Sequence, residues 1–180
     1  MNKLFKDKRS GKIAIVAHCI LNQNSRVSGL AERSNMITEI VEYFLRKKIG
    51  ILQMPCPELT YAGVLRQPQT KDQYDTIMFR SYCRKITKEI VDQTQDYEKC
   101  GISIEIVIGV DGSPSCGVNE TSKGSACENM SKNERVKGSG ILIEELRFAL
   151  KERKISVPFY GIRYERLSED LANIEKLLND

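Results

Sequence analysis

Short apolar runs alternate along the chain with longer stretches in which apolar residues recur at intervals of three and four. The run Ile13–Ala17 is rich in β-branched residues and too short for a helix, so it predicts a strand. In Arg33–Lys48 the residues Met36, Ile37, Ile40, Val41, Phe44 and Leu45 fall at helical spacing. Gly50 suits the position just past that helix, and Ile51–Met54 reads as a second buried strand ended by Pro55. After a loop from Cys56 to about Pro68, Met78, Tyr82, Ile86 and Ile90 recur every four residues through a long helix that ends near Gly101. Ile102–Gly109 gives a third strand, and a long polar loop leads to a helix carrying Ile141, Leu142, Leu146 and Ala149. Val157–Ile162 is the fourth strand. A closing helix follows, with Ser168 as its expected cap, Glu169 and Asp170 in its first turn, and Leu171, Ile174, Leu177 and Leu178 on its buried face.

Four β-then-α units with short, apolar strands predict an α/β fold in which a parallel sheet is covered on both faces by right-handed crossovers. The expected architecture is a Rossmann-like or flavodoxin-like three-layer sandwich around a mostly parallel four-stranded sheet, with strand order 2-1-3-4. Repeats, low-complexity tracts and Pro/Gly/Ser-rich linkers are not evident, so residues 1–180 are expected to form a single domain.

Composition narrows the functional classes. The chain has 180 residues, 41% hydrophobic and 29% charged, enough apolar material for a real core. Its net charge of +4 is spread among interspersed acids and bases, which gives little support to a nucleic-acid polymer as partner. Met1–Lys12 carries four lysines and an arginine without a following apolar run of signal or membrane-span length, so a cytoplasmic location away from membranes is expected. The six cysteines are then expected to be reduced, serving as ligands, nucleophiles or small buried hydrophobes rather than cross-links. Glycine-rich dinucleotide and P-loop motifs have no counterpart here.

Three of those cysteines follow strands: Cys19 the first, Cys56 the second and Cys116 the third. In open α/β sheets the loops beyond the carboxyl ends of the strands form the ligand crevice, so these residues are expected to converge despite their separation in sequence. Structural zinc usually takes four protein ligands, whereas an iron-sulfur cluster held by three cysteines leaves one iron open. Three incidental buried cysteines remain the competing reading. Cys83, within a helix, and Cys100, at a helix end, read as bystanders, while Cys127 in the polar loop would close the site as a fourth ligand.

The local sequences around the three are His18-Cys19-Ile20-Leu21-Asn22-Gln23-Asn24, Pro55-Cys56-Pro57-Glu58-Leu59 and Ser113-Pro114-Ser115-Cys116-Gly117. In order and spacing they resemble the 2-thiouracil desulfidase family, across most of the chain. The resemblance implies a 4Fe-4S cluster bound by Cys19, Cys56 and Cys116, with one open iron that receives sulfur from a thiolated nucleobase. It further implies catalytic roles for Glu58 and Ser113. The sequence Cys19-Ile20-Leu21-Asn22 replaces the family's usual Cys-Leu-Leu-Gly, which points to a divergent member.

The corresponding reaction is a non-redox hydrolysis of a small thiocarbonyl compound that releases hydrogen sulfide. Glu58 would take the proton of the attacking water, and Ser113, Ser115 and Asn22 would contact the substrate. Each has a plainer alternative: Glu58 caps the next helix or pairs with Arg66, Ser113 is a turn residue, and Asn22 makes ordinary loop hydrogen bonds. His18, the one histidine, reads as a packed or solvent-facing neighbour of Cys19 before it reads as an acid or ligand. The segment Asn119–Lys137 is long and polar enough for a lid. A non-catalytic iron-sulfur or metal-binding module that handles redox change or sulfur is the alternative function, with Cys127 its discriminating ligand. The oligomeric state is left open by the sequence.

Overall fold

Strand β1 (Lys12–Ala17) buries its last four residues, as a strand covered on both faces requires. It heads a chain whose computed structural model describes residues 5–124 and 134–179. A short helix α1 (His18–Leu21) follows directly, then a 3-10 turn over Gln23–Ser25 and helix α2 (Thr38–Arg46). Strand β2 (Gly50–Met54) leads into α3 (Pro57–Ala62), α4 (Lys71–Tyr74) and the long α5 (Ile77–Lys99). After β3 (Ser103–Val110) come β4 (Glu120–Lys123) and β5 (Glu134–Lys137). Helix α6 (Ile141–Glu152), strand β6 (Phe159–Ile162), a 3-10 turn over Tyr164–Arg166 and α7 (Leu167–Asn179) complete the described chain.

The main sheet has the order β2-β1-β3-β6, and every pairing in it is parallel. Ala14 in β1 is flanked by Ile51 of β2 and Ile106 of β3, while Val107 of β3 pairs with Phe159 of β6. This is the expected 2-1-3-4 order within the expected α/β three-layer sandwich. Helices α5 and α6 pack together as one layer. On the other side α2 and α7 are linked by Lys47 and Glu175, 2.5 Å apart. The core between sheet and helices holds Ile15, Phe44, Phe79, Ile106, Ile108 and Leu142, all fully buried. None of the described helices is long and apolar enough to cross a membrane.

Several elements depart from the sequence reading. In α5 the buried stripe is Phe79, Cys83, Ile86 and Ile90, whereas Met78 is exposed. At about 100° per residue, a strict four-residue repeat drifts about 40° at each step, so a stripe on one core must mix threes and fours. Ser168 lies inside α7, not at its cap, because the 3-10 turn over Tyr164–Arg166 runs straight into that helix. Leu177 is exposed near its end. The region after Cys56 contains α3 and α4, and part of the expected lid is an antiparallel ribbon of β4 and β5. Residues 125–133, with Cys127 among them, lie outside the described residues.

Candidate functional site

A cavity of about 470 Å³ opens beyond the carboxyl ends of β1, β2 and β3, and Cys19, Cys56, Cys116, Glu58 and Ser113 all line it. Cys19 is the second residue of α1, which begins as soon as β1 ends. Cys56 is the N-cap of α3, where its sulfur accepts the Leu59 N–H at 3.4 Å and Pro57 opens the helix. Both cysteines thus sit at the start of the helix that follows a strand, and both line the cavity.

Cys116 sits in a loop shaped by the buried Asp111 and the half-buried Ser113. The Asp111 carboxylate accepts the N–H groups of Val118 and Asn119 at 2.8 and 2.9 Å, and the Ser113 hydroxyl accepts those of Ser115 and Cys116 at 3.3 and 3.1 Å. Close packing fixes the loop from both sides. A Cβ at Gly109 would overlap the Cys116 carbonyl oxygen, and one at Gly140 would overlap the Ser115 carbonyl group. The loop thus lies flush between β3 and the start of α6.

Glu58 stands in the first turn of α3 and is 8% exposed. Its Oε1 accepts the Ser115 hydroxyl at 2.5 Å and the Ser113 hydroxyl at 3.3 Å. Its Oε2 faces Arg66 Nε at 3.8 Å. Arg66 is itself buried and donates to the carbonyls of Ser25 at 2.8 Å and Gly63 at 3.0 Å. The carboxylate is thus held at one oxygen by hydroxyls and at the other by charge.

The remaining candidates sit differently. Ser115 is buried and outside the cavity lining, with its hydroxyl directed to Glu58. Asn22 is exposed and also outside that lining; its side-chain oxygen accepts the Asn24 N–H at 3.1 Å and caps the 3-10 turn. His18 is partly buried with an unpartnered Nε2, and burial lowers its pKa.

The three thiols are electrostatically distinct. A hydrogen bond from Cys116 is the main cause that brings Cys19 down to about 6, and the same bond holds the Cys116 thiol well above its usual value. Burial, with the nearby Glu58 charge second, pushes Cys56 up to about 12. Among the described residues, no group of three or more His, Cys, Asp or Glu side chains closes around a single metal-ion position.

Two lining residues escaped the sequence reading. Tyr164 donates its hydroxyl toward Cys19 Sγ at 3.8 Å, and Arg26 Nη1 donates to the Tyr164 oxygen at 3.2 Å. The Arg26 guanidinium also lies 4.8 Å from the centre of the Tyr164 ring. Tyr164 comes two residues after β6, so the rule that located the cysteines would have pointed to it had it been applied to the fourth strand. At the rim, Arg163 pairs with Glu120 and Arg135 with Glu165, which ties the β4–β5 ribbon to the segment after β6.

Known proteins resemble this chain over most of its length. A sequence model of the family described as putative 2-thiouracil desulfurase matches residues 11–171. A protein of Methanocaldococcus jannaschii, described as uncharacterized, is 35% identical over 167 residues that cover 93% of this chain and 94% of its own. The fold resembles that of a solved 4Fe-4S-dependent thiouracil desulfidase, with a TM-score of 0.51 and 18% identity over 92% of this chain and 99% of that one.

Proposed function

Because this chain belongs to the putative 2-thiouracil desulfurase family, we propose that it hydrolyses a small thiolated nucleobase of the thiouracil kind, with Cys19, Cys56 and Cys116 holding a 4Fe-4S cluster. The observation that carries this reading is the meeting of three thiols from three strand ends with one buried carboxylate in one cavity. The donor set suits a cluster better than a single ion. One zinc ion needs its donors about 2.0–2.3 Å from a single point, and the described residues offer no such closed group. A cluster distributes its thiolates over separate irons and asks for a wider arrangement. When bound, it supplies an iron without a protein ligand, a Lewis acid toward thiocarbonyl sulfur.

The chain's own residues account for the rest. Glu58 Oε1 is engaged by Ser115 and Ser113, which leaves Oε2 to take the proton of a water attacking the thiocarbonyl carbon. Arg66 Nε lies 3.8 Å from that oxygen, close enough for charge attraction and too far for a hydrogen bond. Ser113, which lines the cavity, turns its hydroxyl proton from its long 3.3 Å contact with Glu58 to the substrate, and Ser115 stays on Oε1. Water adds, the C–S bond breaks, oxygen takes the place of sulfur, and sulfur leaves as hydrosulfide. The reaction needs no electron acceptor. A cavity of about 470 Å³ is of a size for a small molecule rather than a polymer.

Sulfide release from 2-thiouracil by anaerobically prepared protein tests the assignment of Glu58. Glu58→Gln is expected to lose activity by about 10²- to 10⁴-fold, the usual worth of a general base, while keeping its iron. Full turnover in that variant would remove Glu58 from the mechanism.

A further inference from the structure

We propose that Arg26 and Tyr164 form a donor chain to the Cys19 sulfur that tunes the electronics of the metal centre; this rests on the cluster reading above. Both side chains line the cavity. They arrive from separate parts of the chain, Arg26 as the C-cap of the 3-10 turn after α1 and Tyr164 at the start of the turn after β6. The order of the contacts is what matters. Arg26 Nη1 donates to the Tyr164 oxygen at 3.2 Å, and the Tyr164 hydroxyl is directed to Cys19 Sγ at 3.8 Å. A guanidinium that polarises a phenol makes it a stronger donor to the sulfur beyond it.

The charge pattern supports the same direction. Arg66, Arg135 and Arg163 in the cavity wall each face a carboxylate, namely Glu58, Glu165 and Glu120. Arg26 has no carboxylate partner among the described residues, and its Nε is spent on the Leu30 carbonyl at 3.0 Å. A partly buried cation asks for a compensating anion, and a metal-bound thiolate at Cys19 supplies it, both by direct charge attraction and through Tyr164. The Tyr164 hydroxyl is directed to Cys19, whereas the donor to Cys56 is a backbone amide of Leu59. Hydrogen bonds to a ligating sulfur withdraw electron density, favour the reduced cluster and strengthen the metal as a Lewis acid. Tyr164 and Arg26 are thus positioning residues that act through Cys19.

The test is the midpoint potential of anaerobically reconstituted wild type, Tyr164→Phe, Arg26→Gln, Arg26→Lys and the Tyr164→Phe/Arg26→Gln double variant. Tyr164→Phe keeps the ring against Arg26 and removes the hydroxyl, which is both the donor to Cys19 and the acceptor of Arg26 Nη1. Both Tyr164→Phe and Arg26→Gln are expected to lower the potential, on the order of tenfold in the one-electron equilibrium or about 59 mV. Arg26→Lys should restore part of the shift, and the double variant should fall short of the sum because the two residues act in series. Unchanged potentials in iron-replete single variants would overturn the donor chain and leave the cluster reading standing. Wild type that takes up no iron would instead sink the cluster reading, and the donor chain with it.

Discussion

Glu58 is restrained by different groups at its two carboxylate oxygens, and this makes its surroundings separable by single substitutions. Ser115→Ala removes the 2.5 Å hydrogen bond to Oε1 and leaves the weaker Ser113 contact in place. Loss of a buried bond to a charged group is expected to cost about 1.5–3 kcal/mol, read from the denaturant midpoint. Iron content should be unchanged, and kcat should fall more than KM rises if Ser115 serves Glu58 rather than the substrate; a rise in KM alone would return Ser115 to the substrate-contact role. The sequence brought Cys19, Cys56, Cys116 and Glu58 together because strand ends share an edge in a parallel sheet. It did not disclose that the Ser115 hydroxyl turns inward, since that depends on Gly140 allowing α6 to press against the loop. Asn22 shows the converse. Its amide has local backbone to cap, and local partners are reached before distant ones.

At the level of elements, the loop after β3 is the part on which the site most depends. Gly140→Ala places a methyl group into the Ser115 carbonyl, and the backbone on both sides is fixed by Asp111 and by the N-terminus of α6. Overpacking of this kind is expected to cost about 1–3 kcal/mol and to displace Cys116, so thermal stability and iron content should fall together. Iron retained at wild-type level would mean that the loop tolerates the shift. The strands and major helices were legible because apolar periodicity reports burial directly. The β4–β5 ribbon was not, since Glu120–Lys123 is Glu-Thr-Ser-Lys, which carries no apolar alternation even though Thr121 is buried. The exposed Met78 and buried Phe79 make the same point for α5: spacing identifies a helix, but the core selects the stripe.

For the whole molecule, the order β2-β1-β3-β6 was readable from four β-then-α units, whereas the approach of Tyr164 to Cys19 was not. That approach depends on where β6 ends relative to β1, two strands away across the sheet, and no local pattern encodes it. We propose that residues 1–180 form one domain, so reconstituted protein should unfold in a single transition by circular dichroism and by visible absorption; separated transitions would indicate independent units. The central claim, that Cys19, Cys56 and Cys116 hold a 4Fe-4S cluster, is tested most directly by iron and acid-labile sulfide in anaerobically purified wild type and in Ser replacements of Cys19, Cys56, Cys116 and Cys127. About four irons per chain, lost with each of the first three replacements and kept with Cys127→Ser, is the expected result. Bound zinc, no metal, or loss of iron on replacing Cys127 would contradict it.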